Sequence, residues 1–251
     1  MEIKVSVIAL SLLLLFSLPF TAAFGPDIDP VPAFEENFDK IDNTVWDVAG
    51  WKEHGGQTSP ERCFAKDGFL NMLFRYDGTT KTNLSSAIET KKKFLYGRWE
   101  FRAKPSSVKG VLNSFYTIDW GDKGSGTKQE IDIEFLTYEF QKGSGRVQYA
   151  VHAAGLKSVG PEKGVALNFN PSEDFHVYGF EITPEKIDWF ADDKILYTYN
   201  YSSGTIKINS PYTLKLNFWS QKNWIKGPPQ ADLDCVYQVD WIKFYPYKSS
   251  K

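Results

Sequence analysis

From Phe34 onward, the chain alternates apolar and polar residues in short runs, and no stretch keeps a 3.6-residue period for three turns. Alternation with a period of two is typical of β-strands with one buried face. The pattern predicts strands that include residues 98–103, 111–118, 129–136, 146–152, 176–182, 186–190, 194–199, 212–219 and 237–245. Residues 183–185 and 191–193 interrupt it as predicted hairpin turns. Many short strands at close spacing predict an all-β fold, a sandwich or a barrel.

The first 23 residues follow a different pattern. Lys4 precedes an apolar stretch at 5–20, and the small residues Thr21, Ala22 and Ala23 follow it. A short apolar segment that ends at small residues is typical of a secretory signal peptide, here cleaved after Ala23. A retained membrane anchor is the alternative, because the stretch is close to the roughly 17 to 20 residues that span a bilayer. The sequence therefore predicts a secreted protein, extracellular or periplasmic.

No Pro/Gly/Ser-rich linker and no internal repeat divides the rest of the chain. The sequence predicts a signal peptide at 1–23, a short Pro-rich lead-in at 24–33 and one domain at 34–247. A chain of 251 residues is long enough for a large hydrophobic core. The two cysteines, Cys63 and Cys235, either form one disulfide in an oxidising compartment or remain as two buried thiols.

The composition of the chain excludes some classes of binding partner. The net charge of -2 and the pI near 6.0 give no basic field for nucleic acid or for an anionic membrane. Aromatic residues make up 16% of the chain and include eight tryptophans. Such rings fill cores, but exposed ones are flat platforms that stack on the carbon faces of sugars.

The segment Glu130-Ile131-Asp132-Ile133-Glu134 concentrates the candidate chemistry. On a strand, its three carboxyls share one face and its isoleucines the other, and three like charges on one face repel. The Cα atoms of Glu130 and Glu134 should lie about 13 to 14 Å apart. If each side chain leans inward by about 4 Å, the carboxyls approach the ~5 to 5.5 Å separation of retaining glycosidases. The alternative is a strand with a solvated acidic face.

Four ordered segments resemble glycoside hydrolase family 16, the β-jelly-roll endoglycanases that include lichenases and laminarinases. They are Glu130-Ile-Asp-Ile-Glu-Phe135, the form of the motif without a bulge residue, and residues 96–104, 174–187 and 239–243. The resemblance covers nearly the whole mature chain. It implies an all-β jelly-roll sandwich of two antiparallel sheets, similar to concanavalin A.

The resemblance also implies roles: Glu130 is the nucleophile, Glu134 the general acid/base and Asp132 an assisting carboxylate. The implied activity is that of a retaining endo-β-glycanase on a polysaccharide, a β-1,3- or mixed-linkage β-1,3-1,4-glucan. No cofactor is implied for catalysis, and the sequence carries no signal for oligomeric state. Three alternatives stay open: a transglycosylase, a galactan hydrolase and a non-catalytic, lectin-like binding module.

Other residues are predicted to contact the sugar. Trp219 ends a segment, Leu216-Asn217-Phe218-Trp219, that is similar to the family's Asn-x-Trp strand, and Trp224 lies just beyond it. Both are either stacking platforms or core. Gln57, with His54, lies in an early loop that could reach the sugar. The full set of candidates is Trp120, His152, Asn217, Trp219, Trp224 and Gln57.

A structural calcium is a further possibility that the resemblance raises. Some family members bind one through two backbone carbonyls and one aspartate, and the matching positions are Asn37, Gly68 and Asp240. Oxygen ligands of this kind suit a hard cation. The alternative is that Asp240 only makes a hydrogen bond.

Several departures from the lichenase pattern leave the glycan open. Leu84 and Ser86 stand where lichenases have an acid and an arginine, and Lys128 stands where they have a tryptophan. Cys63 matches one half of their disulfide, but the other half falls near Thr82. The sequence also indicates no cluster of Arg and Lys of the kind that a sulfated galactan would require. Subsite contacts of this kind choose the glycan.

Overall fold

The computed structural model describes residues 24–50, 52–53, 56–121, 128–153, 163–202 and 206–248, so the predicted signal peptide lies outside it. In these residues the chain forms seventeen strands and two 3-10 helices, Pro60–Arg62 and Thr137–Glu139. No described helix is long and apolar enough to cross a membrane. The strands are β1 (Phe34–Glu36), β2 (Trp46–Val48), β3 (Lys52–Glu53), β4 (Gly56–Thr58), β5 (Cys63–Lys66), β6 (Phe69–Asp77), β7 (Thr82–Thr90), β8 (Gly97–Lys104), β9 (Leu112–Asp119), β10 (Gln129–Leu136), β11 (Gly145–Ala153), β12 (Lys163–Leu167), β13 (His176–Ile182), β14 (Lys186–Ala191), β15 (Lys194–Asn200), β16 (Thr213–Trp219) and β17 (Cys235–Pro246).

The strands form two layers. The cleft sheet contains seven strands in the order β12, β11, β10, β9, β16, β7 and β2. The outer sheet has the order β15, β14, β13, β8 and β17, and β17 also pairs with β1 and with the β6–β5 hairpin. Strand β6 continues from the outer sheet into a pairing with β7, which joins the layers. The strand pairs described are antiparallel apart from β4 with β7.

Aromatic side chains fill the space between the sheets. Phe101 of β8 and Phe115 of β9 stack across the two layers with ring centroids 3.3 Å apart. Ile131 and Ile133 of β10 are fully buried, as the period-two pattern predicts. The indole of Trp189 on β14 crosses the core and donates a hydrogen bond to the backbone carbonyl of Asp132 at 3.2 Å. The outer sheet therefore supports the acidic strand from beneath.

The predicted all-β jelly-roll sandwich is confirmed. Strands β10 and β13 begin and end at the predicted residues, and the other predicted strands agree within two residues. Asp192 and Asp193, with φ of 44° and 65°, form the predicted β14–β15 hairpin turn, whose type requires left-handed backbone at both positions. Seven strands before residue 97, and β12, were not predicted, because most of them are short.

Cys63 and Cys235 are two buried free thiols. Strand β6 lies between them, since Cys63 is opposite Met72 and Cys235 is opposite Phe74. Cysteines separated by an intervening strand are too far apart for a disulfide. Burial raises the pKa of both thiols, to about 11 for Cys235. Of the two possibilities that the sequence left open, the structure has the free thiols.

The Pro-rich lead-in lies against the end of β17. Ile28 is buried and forms a bridge with Tyr247, and the backbone N–H of Lys248 donates to the carbonyl of Asp27 at 2.7 Å. The two ends of the described chain are therefore held side by side at the outer sheet.

Candidate active site

Strand β10 carries Glu130, Asp132 and Glu134 on the exposed face of the cleft sheet. Antiparallel pairing with β11 places His152 directly opposite Glu130 and Gln148 directly opposite Glu134. Directly opposed residues on neighbouring strands share a face and lie within contact distance. The three acids therefore lie at the centre of rows of polar side chains that run across neighbouring strands.

These acids lie on the floor of an open cavity of about 750 Å³. A cavity of this size accommodates a ligand of several hundred cubic ångströms, the range of small-molecule sites. Its lining mixes carboxyls, lysines and aromatic rings: Lys52, Leu112, Ser114, Tyr116, Ile118, Trp120, Lys128, Glu130, Asp132, Glu134, Gln148, His152, Lys215, Asn217, Trp219 and Trp224.

Asp132 is the most buried of the three acids, with 4% of its surface exposed. Burial, followed by the charges of Glu130 and Glu134, raises its pKa well above the usual value for an aspartate. The raised pKa favours the protonated form, which can donate the hydrogen bond that joins its side chain to Glu130. His152 Nε2 lies 3.3 Å from Asp132 Oδ2 on the other side.

Glu130 is paired with a cation. The ammonium of Lys128 forms an ion pair with Glu130 Oε2 and lies 5.2 Å from the centroid of the Trp120 ring. Trp120 itself is 62% exposed at the rim of the cavity. The carboxyls of Glu130 and Asp132 thus have different surroundings, one beside a positive charge and the other buried.

The three predicted tryptophans differ in burial. Trp219 is 8% exposed and packs in a small apolar cluster with Leu112 and Ile225, so most of its ring belongs to the core. Trp224 is 36% exposed and lies 6.1 Å from Trp219, centroid to centroid. Both line the cavity. Trp224 presents the larger surface to a ligand, while Trp219 supports it.

Of the polar candidates, two reach the cavity. His152 lines it beside the acids, and Asn217 lines it while accepting a hydrogen bond from Ser114 Oγ. Gln57 does not line the cavity, because its side-chain amide donates to the carbonyl of Thr58 at 2.8 Å. His54 lies outside the described residues.

The sequence pattern did not indicate three cavity residues, Lys215, Tyr116 and Ser114. Cross-strand pairing places Lys215 and Tyr116 in one row with Asp132, and it places Ser114 in the next row between Asn217 and Glu134. Period two would have found Lys215, two residues before Asn217. Lys52 reaches the cavity in place of Gln57, its partner in the β3–β4 pair.

Leu84 and Ser86, which stand where lichenases have an acid and an arginine, do not line the cavity. Ser86 is fully buried opposite Phe218, a core residue, and Leu84 shares its side of the strand. The cleft face of β7 instead carries Ala87, opposite Asn217, and Glu89, opposite Lys215. Glu89 is partly buried and accepts a hydrogen bond from Thr213 Oγ1 at 2.6 Å.

The residues proposed for calcium fit a cation poorly as they stand. The carboxylate of Asp240 forms an ion pair with Arg102 through Oδ2, so a positive charge already lies beside the only carboxyl of the set. The other two predicted ligands are the backbone carbonyls of Asn37 and Gly68, and Gly68 lies in the left-handed turn between β5 and β6. Among the described residues, no group of three His, Cys, Asp or Glu side chains could hold a metal ion.

The arrangement provides the parts of acid/base and nucleophilic chemistry on one surface. A carboxylate paired with a cation, a buried neighbour with a raised pKa and a third carboxyl four residues along the strand from the first face a cavity with exposed aromatic rings. Such a set suits the cleavage of a bond to a sugar, whose leaving oxygen needs a proton and whose anomeric carbon needs a nucleophile. Fold and cavity together define a jelly-roll protein with a polysaccharide-sized cleft.

Comparison with known proteins gives the family. Residues 58–243 match Glycosyl hydrolases family 16. The Beta-glucanase of Acetivibrio thermocellus is 30% identical over 253 residues, which cover 96% of this chain and 72% of that protein. The chain therefore belongs to glycosyl hydrolases family 16 and is a glycoside hydrolase.

Solved structures agree with this assignment. A prokaryotic beta-1,3-1,4-glucanase (lichenase) derived from a mouse hindgut metagenome matches with a TM-score of 0.70 and 28% identity, over 85% of this chain and 98% of that one. The laminarinase catalytic domain from Thermotoga maritima matches in fold, with a TM-score of 0.73 and 22% identity over 88% of this chain and 98% of that one. The family resemblance inferred from the sequence is confirmed.

Proposed function

We propose that this glycoside hydrolase is a secreted, retaining endo-β-glucanase that cleaves internal linkages of a β-1,3- or mixed-linkage β-1,3-1,4-glucan. The observation that carries the proposal is the acidic face of β10, where Glu130, Asp132 and Glu134 lie at the centre of an open cavity. An open cleft admits an internal segment of a long chain, which is what endo cleavage requires. The mature protein is proposed to be extracellular or periplasmic, following the predicted signal peptide.

In the proposed mechanism, Glu130 attacks the anomeric carbon while Glu134 protonates the departing glycosidic oxygen. The resulting glycosyl-enzyme is hydrolysed by water that the deprotonated Glu134 activates, so that two inversions give net retention. Asp132, whose raised pKa favours its protonated form, donates a hydrogen bond to Glu130 and limits the negative charge on the strand. His152 holds the other side of Asp132.

The relatives support a glucan, since the curated protein cited above is a beta-glucanase and the two structures are a lichenase and a laminarinase. A galactan with anionic groups is the second candidate, because the fold brings Lys52, Lys128 and Lys215 to the cavity, whereas the sequence predicted no cluster of Arg and Lys. Two of these lysines face acids: Lys128 pairs with Glu130, and Lys215 lies opposite Glu89. This local compensation favours the neutral glucan.

The remaining proposals concern a metal ion, a lectin-like module and transglycosylation. Catalysis by carboxyls needs no metal. A structural calcium at Asn37, Gly68 and Asp240 stays a prediction, and such an ion would lie close to the guanidinium of Arg102. The alternative of a lectin-like module is disfavoured by membership of a hydrolase family. Water and sugar acceptors use the same glycosyl-enzyme, so transglycosylation is tested on the products.

The choice of substrate is tested with a panel of polysaccharides. Lichenan, laminarin, xyloglucan and agarose are incubated with the enzyme, and products are separated by thin-layer chromatography over time. We expect oligosaccharides of several sizes from lichenan or laminarin at early times, because endo cleavage releases internal fragments. Oligosaccharides larger than those that hydrolysis alone releases would indicate transglycosylation. Cutting of the galactan alone would exclude the glucan and leave the mechanism in place.

The stereochemistry of the product is a separate prediction. Glu130 and Glu134 lie four residues apart on one strand, and the short carboxyl separation expected for this spacing leaves no room for a water between them. We therefore expect proton NMR of a fresh digest to show the β anomer first and the α anomer only after mutarotation. An initial α signal would require inversion and contradict the double displacement.

A further inference from the structure

Lys128 contacts the carboxyl that the proposed reaction uses as its nucleophile. It lies immediately before strand β10 and forms an ion pair with Glu130 Oε2, an atom buried from solvent. The same ammonium lies 5.2 Å from the centroid of the Trp120 ring, within the distance at which a cation is attracted to an aromatic face. The lysine therefore bridges a carboxylate and an indole at the rim of the cavity.

The surroundings of Glu130 explain why a cation matters there. Its neighbour on β9, Ile118, is apolar and offers no charge. The titratable side chains that face it from its own strand, from β9, from β11 and from across the cavity are Asp132, Glu134, Tyr116, His152 and Lys215. Two of these, Asp132 and Glu134, are acids on the same strand, and in their ionised forms they repel the charge of Glu130. The charge of Lys128 offsets them at contact distance.

We propose that Lys128 is a positioning residue: held over Trp120, it pairs with the Glu130 carboxylate, fixes its direction in the cavity and supplies a positive charge to the acid cluster. The inference rests on the nucleophilic role proposed above for Glu130. It also changes the role of Trp120, since one face of that ring attracts the ammonium. Trp120 then acts on the reaction through Lys128 and only secondarily as a platform for sugar.

The test is the pH dependence of kcat/KM for Lys128→Met and Lys128→Arg on whichever polysaccharide the wild type cleaves. Without the positive charge, the acid cluster retains its protons to higher pH. The acid limb of the profile should therefore move upward by about one pH unit in Lys128→Met, the lower end of the effect of an adjacent opposite charge. At pH values well below the limb, kcat/KM of Lys128→Met should then be about tenfold lower than that of the wild type. Lys128→Arg keeps the positive charge, so the acid limb of its profile should lie close to that of the wild type.

The matched control is Lys142→Met, which removes the same charge from an exposed position on the turn between β10 and β11. Its profile should coincide with that of the wild type. A purely structural role for Lys128 would scale the whole profile without moving the limb. An unmoved limb in Lys128→Met, or equal shifts in the Met and Arg variants, would overturn the proposal.

A double-mutant cycle separates the two roles of Trp120. If Trp120 acts through Lys128, Trp120→Ala moves the acid limb in the wild-type background and adds little in the Lys128→Met background. Equal increases in KM in both backgrounds, with no movement of the limb, would assign Trp120 to sugar contact alone and contradict the bridge. Full activity of Glu130→Gln, by contrast, would overturn the proposed function itself, so the two failures are distinguishable.

Discussion

Replacing Glu130 by glutamine is expected to lower kcat at least about a thousandfold while the domain stays folded, because the amide keeps the size of the side chain but cannot attack a carbon. Glu134→Gln should cause a loss of similar size, since it removes the proton donor for the leaving oxygen. Both side chains lie on the cavity face of β10, away from the core isoleucines. Initial rates on the cleaved glucan, together with circular dichroism and thermal melts, check the result.

Chemical rescue distinguishes the two carboxyls. Azide or formate should partly restore turnover of Glu130→Ala by taking the place of the missing nucleophile, and azide should give a product of inverted configuration. Glu185→Gln is a suitable control, because this glutamate is exposed on the turn between β13 and β14, outside the cavity. Hydrolysis near the wild-type rate by either Gln variant would remove the assignment of these roles.

The second large effect concerns the paired tryptophans. Trp219→Ala is expected to lower the free energy of unfolding by about 3 kcal/mol or more, because it opens a cavity in the cluster with Leu112 and Ile225. Trp224→Ala should change this free energy by less than about 1 kcal/mol, since its ring is partly exposed. It should instead weaken polysaccharide binding by about 1 to 3 kcal/mol, the scale of one buried aromatic ring.

Urea denaturation and binding to immobilised polysaccharide measure the two quantities independently. Trp241→Ala serves as a comparison, because Trp241 lies on β17 of the outer sheet, outside the cavity. It should leave binding unchanged. Equal losses of stability in Trp219→Ala and Trp224→Ala would contradict the division between a supporting ring and a contacting ring.

The acidic strand was predictable because its signal is local. Alternation alone assigned Glu130, Asp132 and Glu134 to one face and the buried isoleucines to the other, and it gave the bounds of β10 without error. Sequence could not supply the cross-strand neighbours, since the register between β10, β9 and β16 depends on contacts distant in the chain. Lys215 and Tyr116 enter the cavity through that register.

The faces of β7 and the contents of the cavity depend on the same long-range pairing. A shift of one residue on a strand exchanges its two faces, and only the pairing with Phe218 shows that Ser86 points inward. Gln57 was expected at the sugar, but the short β3–β4 pair presents Lys52 there instead. The partly exposed and mostly buried states of Trp224 and Trp219 likewise depend on the packing of the segment after β16.

The hydrogen bond from Trp189 to the carbonyl of Asp132 ties the height of the acidic strand to the opposite layer of the sandwich. An indole that spans the core acts as a spacer between the two sheets, so a change in side-chain volume near Trp189 alters where the carboxyls stand before it unfolds the domain. Core substitutions made to stabilise this enzyme should therefore be tested for turnover as well as for melting temperature. We therefore expect substitutions in the outer sheet beneath β10 to change turnover, although that sheet does not line the cavity.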